Sequence, residues 1–316
     1  MSNKFLSRAK EAAALNIKMA FCVTLLFTLI ATALRSVLFF TCFDVEIGYF
    51  DECFAVSLLN SMIAVICLFL IGGFIYISKE ANLPTEIDNS TNSIFFSATF
   101  AGFILLADFA YSFIGMLGEG GFSSFKSVFS SEYLAENLYM LRVAAIVDVL
   151  GLIASLLTAV CFFVRSARNP KAKLSAWLGF FPIIRALTGV ARVYFEMEIQ
   201  MNHPSKLMLQ FALVSVMIYF LCEERFYISK EYARPRRFFV SGCAAFFLSF
   251  LCGVSEIIGF FSGKLSKGDF CVEAFFCLVV SFYILARTNS FVKNGKIVPC
   301  LDSTADTETV EENANE

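Results

Sequence analysis

The chain has 316 residues, is 58% hydrophobic, carries 16% charged residues and has a net charge of −2. That profile excludes an ordinary soluble globular domain, and no nucleic-acid partner is expected of it. The charges cluster between apolar runs of about twenty residues, long enough to cross a hydrocarbon core of about 30 Å.

In chain order, residues 1–18 form a cytoplasmic amino-terminal segment with Lys4, Arg8, Lys10 and Lys18. Span one, 19–40, contains Arg35; it is too long for a removable signal and has no small-residue cleavage site. The loop 41–52 has no basic residue and is flanked by Cys42 and Cys53. A disulfide across it and two independent helix-end thiols are both open readings, since spacing does not establish bonding geometry. Span two covers 54–77, and span three, 94–117, contains Asp108. In the following loop Phe122, Phe125, Phe129 and Tyr133 recur at three- and four-residue spacing, which predicts a short amphipathic helix at the interface.

Span four, 141–164, contains Arg142 and Asp148, and a turn with Arg165, Arg168, Lys171 and Lys173 follows it. Span five, 174–195, holds Arg185 and Arg192 and is interrupted by Pro182, whose missing N–H predicts a kink. Span six, 207–227, ends on Glu223-Glu224, and a basic turn from Lys230 to Arg237 follows. Span seven, 238–261, contains Glu256; span eight, 270–286, contains Glu273. Gly151/Ser155 and Gly259/Gly263 are small pairs at four-residue spacing, suited to close helix contact. The tail 291–316 is polar and acidic, which predicts a disordered cytoplasmic segment.

Basic residues collect before span one, after span four and after span six, so these segments and both termini are expected in the cytoplasm. Two short echoes organise the whole. Phe43-Asp44-Val45-Glu46-Ile47 resembles Phe195-Glu196-Met197-Glu198-Ile199, and Tyr76-Ile77-Ser78-Lys79-Glu80 resembles Tyr227-Ile228-Ser229-Lys230-Glu231. The expected architecture is therefore all-α and polytopic: eight transmembrane helices in two parallel four-helix repeats, 19–168 and 169–290, in the cell membrane.

The chemically informative residues are the ionisable ones within the spans: Arg35, Arg142, Arg185 and Arg192 against Asp108, Asp148, Glu256 and Glu273. Each is costly in hydrocarbon and must face the bundle interior, water or an opposite charge. Asp108 is expected roughly 21 Å from the cytoplasmic end of its helix, with Glu256 at like depth on the repeat-related one. The inner half of every span is read as free of titratable groups apart from the span end at Glu223-Glu224.

Two functions fit. In the first, these eight residues line an outward-facing charged cavity of a solute transporter or solute-binding membrane component, with a small solute or a proton as cargo. In the second, they form a structural ion-pair network in a non-catalytic sensor, scaffold or subunit of a membrane complex. An enzyme is disfavoured. The single His203 gives no paired-histidine metal motif, and no Cys-x-x-Cys, phosphate loop or cofactor-binding signature occurs. Glu223-Glu224-Arg225 lacks the arginine spacing and partner histidines of membrane CAAX-type proteases. The lipid bilayer is the expected partner throughout, with anionic headgroups at the Lys230–Arg237 turn.

Overall fold

A computed structural model describes residues 2–45, 49–77, 91–117, 138–167, 172–195, 203–228, 233–265 and 268–294. Nearly all of these are helical: α1 (Ser2–Thr41), α2 (Phe54–Ile77), α3 (Asn92–Leu117), α4 (Leu138–Ser166), α5 (Ala172–Leu178), α6 (Phe180–Phe195), α7 (Pro204–Ile228), α8 (Pro235–Phe261) and α9 (Gly268–Asn294). A two-stranded antiparallel hairpin, β1 (Phe43–Asp44) and β2 (Tyr49–Phe50), joins α1 to α2 with Phe43 opposite Phe50.

Seven segments are long and apolar enough to span a membrane: Ile17–Thr41, Asn92–Leu117, Arg142–Ser166, Leu174–Phe195, Pro204–Ile228, Pro235–Phe261 and Val272–Lys293. Their outward surface suits lipid. Phe96, Phe103, Ile114, Phe211 and Phe261 are all more than half exposed, which water would penalise and acyl chains do not. Within the helices, Thr24, Thr28, Ser249 and Ser255 return their hydroxyls to the carbonyl four residues back. That bond satisfies a polar group where no water is at hand.

The helix ends follow local chemistry. Pro204 and Pro235 open α7 and α8 at positions where a missing N–H costs nothing. Gly263, at φ +70°, turns the chain out of α8 and lets Lys264 and Leu265 donate to the Gly259 carbonyl. Gly263 therefore ends a helix; it does not pack against one, as the Gly259/Gly263 spacing had suggested. Span five is divided: α5 stops at Leu178 and α6 resumes at Phe180, with Pro182 one turn further on. The interruption expected from the proline falls at Gly179.

Helices α8 and α9 form the centre of the bundle. In their most apolar windows 67% of residues are buried, against 17% in α3. α8 packs against α9, α7, α1 and α2, and α3 against α4 and α9. α8 and α9 approach closely at Gly253. A methyl group there would stand 2.7 Å from the backbone nitrogen of Leu278 and 2.9 Å from the carbonyl oxygen of Ala274.

The amphipathic helix expected around Phe122–Tyr133, the repeat boundary at Asn169-Pro170, Glu46, Glu196, Glu198, the Lys230 end of the basic turn and the tail beyond Asn294 lie outside the described residues; residues 291–294, expected to begin that disordered tail, instead complete α9, where Phe291 is buried.

Candidate functional site

Among the described residues, the ion pairs within the bundle gather in three clusters. Two lie toward the end of the bundle where α1, α3, α6 and α8 finish. The third lies at the opposite end, where α4, α7 and α9 finish.

The first cluster joins α3, α4, α6 and α9 around Arg185, which is fully buried. Its Nη1 donates to both oxygens of Glu273, at 3.0 and 2.8 Å, and its Nε to Ser155 Oγ at 2.7 Å. Nη2 stands 3.5 Å from Asp108 Oδ2, and Ser155 donates its own hydroxyl to that oxygen at 2.9 Å. Arg192 continues the chain, giving 3.0 Å bonds to Glu273 Oε1 and to Asp148 Oδ1. Gly189 makes room: a methyl there would come within 2.6 Å of the Glu273 carboxylate. The Arg185 guanidinium lies 4.7 Å from the ring centre of Phe276, a cation–π contact that helps hold a charge out of water. Arg142, on the same helix as Asp148, is also engaged.

Asp108 is held less tightly by Arg185 than Glu273 is. Glu273 takes the short bonds of Arg185, while Asp108 keeps the 3.5 Å contact and a side chain 15% exposed. It borders a cavity of about 240 Å³ between α3 and α9, lined otherwise by Ile104, Leu105, Tyr111, Phe275 and Phe276. That space is almost wholly apolar.

The second cluster joins α1 and α8. Arg35 donates to Glu256 Oε1 at 2.7 Å and to Ser255 Oγ at 3.0 Å. Its guanidinium lies 5.6 and 5.5 Å from the ring centres of Phe39 and Phe50, so β2 covers it. Asp108 and Glu256 thus belong to different clusters, each with its own arginine.

His203 sits beside this second cluster under the rings of Phe43 and Tyr49, and its Nδ1 accepts the N–H of Ser205 at 3.2 Å. Its pKa is lowered from 6.5 to about 4, first by lost hydration and then by the charges of Arg35 and Lys206. The unfolded chain takes up this proton near 6.5 and the folded chain near 4, so the unfolded state binds more protons between those values. The melting temperature in detergent should fall as pH drops from 7 to 4, with the slope starting below 6.5. His203→Gln should flatten that slope; an identical pH profile in the variant would show that other groups control it.

The third cluster was not legible in the sequence. Arg165, Glu223 and Arg287 are fully buried, and Glu224 nearly so. Arg165 Nη1 donates to Glu223 Oε2 at 2.9 Å, and its Nη2 pairs with Glu224. On the other side Arg287 Nε and the Tyr283 hydroxyl donate to Glu223 Oε1 at 2.9 and 2.7 Å, and Arg287 also bonds the Tyr227 hydroxyl. Two positive and two negative groups balance. The expectation that the inner half lacks titratable groups is therefore corrected. Arg165, counted among the basic residues of a solvated turn, is locked inside, and α9 continues through Arg287 to Asn294 because its charge is paired. Gly179, at the break between α5 and α6, faces this cluster; a side chain there would overlap the Glu224 carboxylate. One signal was available: Tyr219, Glu223 and Tyr227 recur every four residues, a polar stripe on one face of α7.

Among the described residues no group of three or more His, Cys, Asp or Glu side chains converges as a metal site. No family model matches the chain, and neither a curated protein nor a solved structure matches it.

Proposed function

We propose that the protein is a non-catalytic multi-pass membrane component, a sensor, scaffold or subunit of a membrane complex, whose intramembrane charges act as an internal ion-pair framework. One observation carries this reading. Each of the eight charged residues singled out in the spans is engaged, and the bonds of Arg35, Arg185 and Arg192 end on Glu256, Asp108, Glu273 and Asp148. A binding site for a charged solute needs charges held apart for the solute to join. The space beside Asp108 is apolar instead.

We further propose eight spans in the cell membrane, with α2 (Phe54–Ile77) as the additional one, both termini cytoplasmic, and anionic headgroups at the 230–237 turn. The parallel two-repeat arrangement is supported by a reciprocal exchange. Arg35 of span one reaches an acid of span seven, and Arg185 of span five reaches an acid of span three. In each, the Nε also reaches a serine, though Ser255 and Ser155 come from non-equivalent helices.

A carrier is the second reading, favoured by the position of Asp108 at the edge of a cavity. Two substitutions separate them. Glu273→Gln removes the shared acceptor of two arginines and should destabilise by about 3–5 kcal/mol, the scale for breaking a buried ion pair. Asp108→Asn removes a peripheral partner and should cost about 1 kcal/mol. Both are read as thermal or SDS-induced unfolding of purified protein. If Glu273→Gln melts like wild type, the framework reading fails. If small solutes stabilise wild type and Asp108→Asn alone abolishes that effect, the carrier reading replaces it.

A further inference from the structure

The hairpin between α1 and α2 holds a pair of thiols that the ion-pair framework does not use. Cys42 immediately follows α1, and Cys53 immediately precedes α2. The strand register, with Phe43 opposite Phe50 and the Asp51 N–H bonded to the Cys42 carbonyl at 2.7 Å, folds the chain so that the two sulfurs meet. They stand 3.2 Å apart and are half-buried. A disulfide needs about 2.05 Å, so closure asks for a shift of about 1 Å in two side chains on a short loop.

We propose that Cys42 and Cys53 form a structural disulfide that staples the hairpin over the Arg35–Glu256 pair, and that this end of the bundle faces an oxidising compartment. The staple has something to hold. Phe39, Phe43 and Phe50 pack mutually, tilted or edge to face, with centroids 5.1 Å apart, and Phe39 and Phe50 close over Arg35. The loop 41–52 contains no basic residue, in keeping with a non-cytoplasmic face. Cys53 is the attacking thiol. Its sulfur sits at the start of α2, where the Cys42 thiol and the N–H groups of Val56 and Ala55 favour the thiolate and lower its pKa from 9.0. The oxidant is a disulfide-bonded thiol oxidoreductase of that compartment. Cys53 thiolate attacks one sulfur of its disulfide and releases the other as a thiolate. Cys42 thiolate then attacks Cys53 Sγ and displaces the second. Two protons and two electrons leave with the reduced oxidoreductase, and one S–S bond is broken for the one formed.

The test uses the full chain in its own membranes. Acid-quenched membranes are dissolved in SDS at neutral pH with N-ethylmaleimide, reduced, and treated with an isotopically heavy maleimide before peptide mass spectrometry. Cys42 and Cys53 should carry the heavy label, and the exposed Cys22 and Cys67 the light one. An unreduced digest should link the two hairpin peptides. Light label on Cys42 and Cys53, or linkage of either to another cysteine, would overturn the bond. Reduction of purified wild type should lower its melting temperature by about 5 °C and leave the Cys42→Ser/Cys53→Ser double variant unmoved. A bond whose reduction leaves the wild-type melting temperature unchanged would overturn the stapling role.

Discussion

Glu223→Ala should be among the most destabilising single substitutions in the chain. The carboxylate accepts from Arg165 on one oxygen and from Arg287 and Tyr283 on the other, and all four side chains are fully buried. Its removal leaves two guanidinium groups with one acid, Glu224, between them in a medium that cannot hydrate the excess charge. The expected loss is about 3–5 kcal/mol, read as poor recovery from the membrane or early unfolding in an SDS titration. Because such a variant can fail to accumulate at all, the companion is Glu223→Met with Arg287→Met. Removing an acid and a base together restores charge balance with apolar bulk, so the double variant should be more stable than Glu223→Met alone. A double variant no better than the single one would show that the two residues are not coupled.

Gly253→Val should separate the two central helices. A Cβ at this position meets the backbone of α9 at Leu278 and Ala274, not the yielding tip of a side chain. Backbone cannot rotate away, so α8 and α9 must move apart along the most buried contact in the bundle. Overpacking of this kind typically costs about 1–3 kcal/mol and occasionally more, and valine adds three carbons against backbone. Gly72→Ala is the control. Its Cβ meets nothing within 4 Å, and replacing a helical glycine gains about 1 kcal/mol in propensity. Unfolding curves of the two variants should move in opposite directions. A wild-type-like Gly253→Val would mean that α8 and α9 do not pack through this residue.

Apolar run length was enough to place the long helices, because a bilayer-spanning helix must be apolar on every lipid-facing side. The interruption in span five was also legible, since Pro182 removes one specific backbone donor. Pairings were not. Arg35 and Glu256 lie 221 positions apart, and no local pattern encodes which acid an arginine will meet. The Arg165–Glu223–Arg287 cluster was missed for a further reason. A charge at the edge of an apolar run reads as the start of a solvated turn, so residues buried by mutual neutralisation at the span ends, such as Arg165 and Arg287, fall outside the span. Small-residue spacing misled in the same way: Gly263 terminates a helix, while Ser155 relays a hydrogen bond between Arg185 and Asp108.

Two of the helices are tied into both networks, the first and the third. α4 contributes Ser155, at mid-helix, to one and Arg165, near its end, to the other; α9 contributes Glu273 and Arg287. The two locks are about 15 Å apart on α4 and about 21 Å apart on α9. A single pinned residue leaves a rod free to pivot, whereas two pins set apart also remove sliding and screw rotation. A one-turn ratchet of α9 past its neighbours would tear both locks at once. Span five is the rod already cut, at Gly179, so α5 can hinge against α6, which Arg185 and Arg192 hold in the first lock.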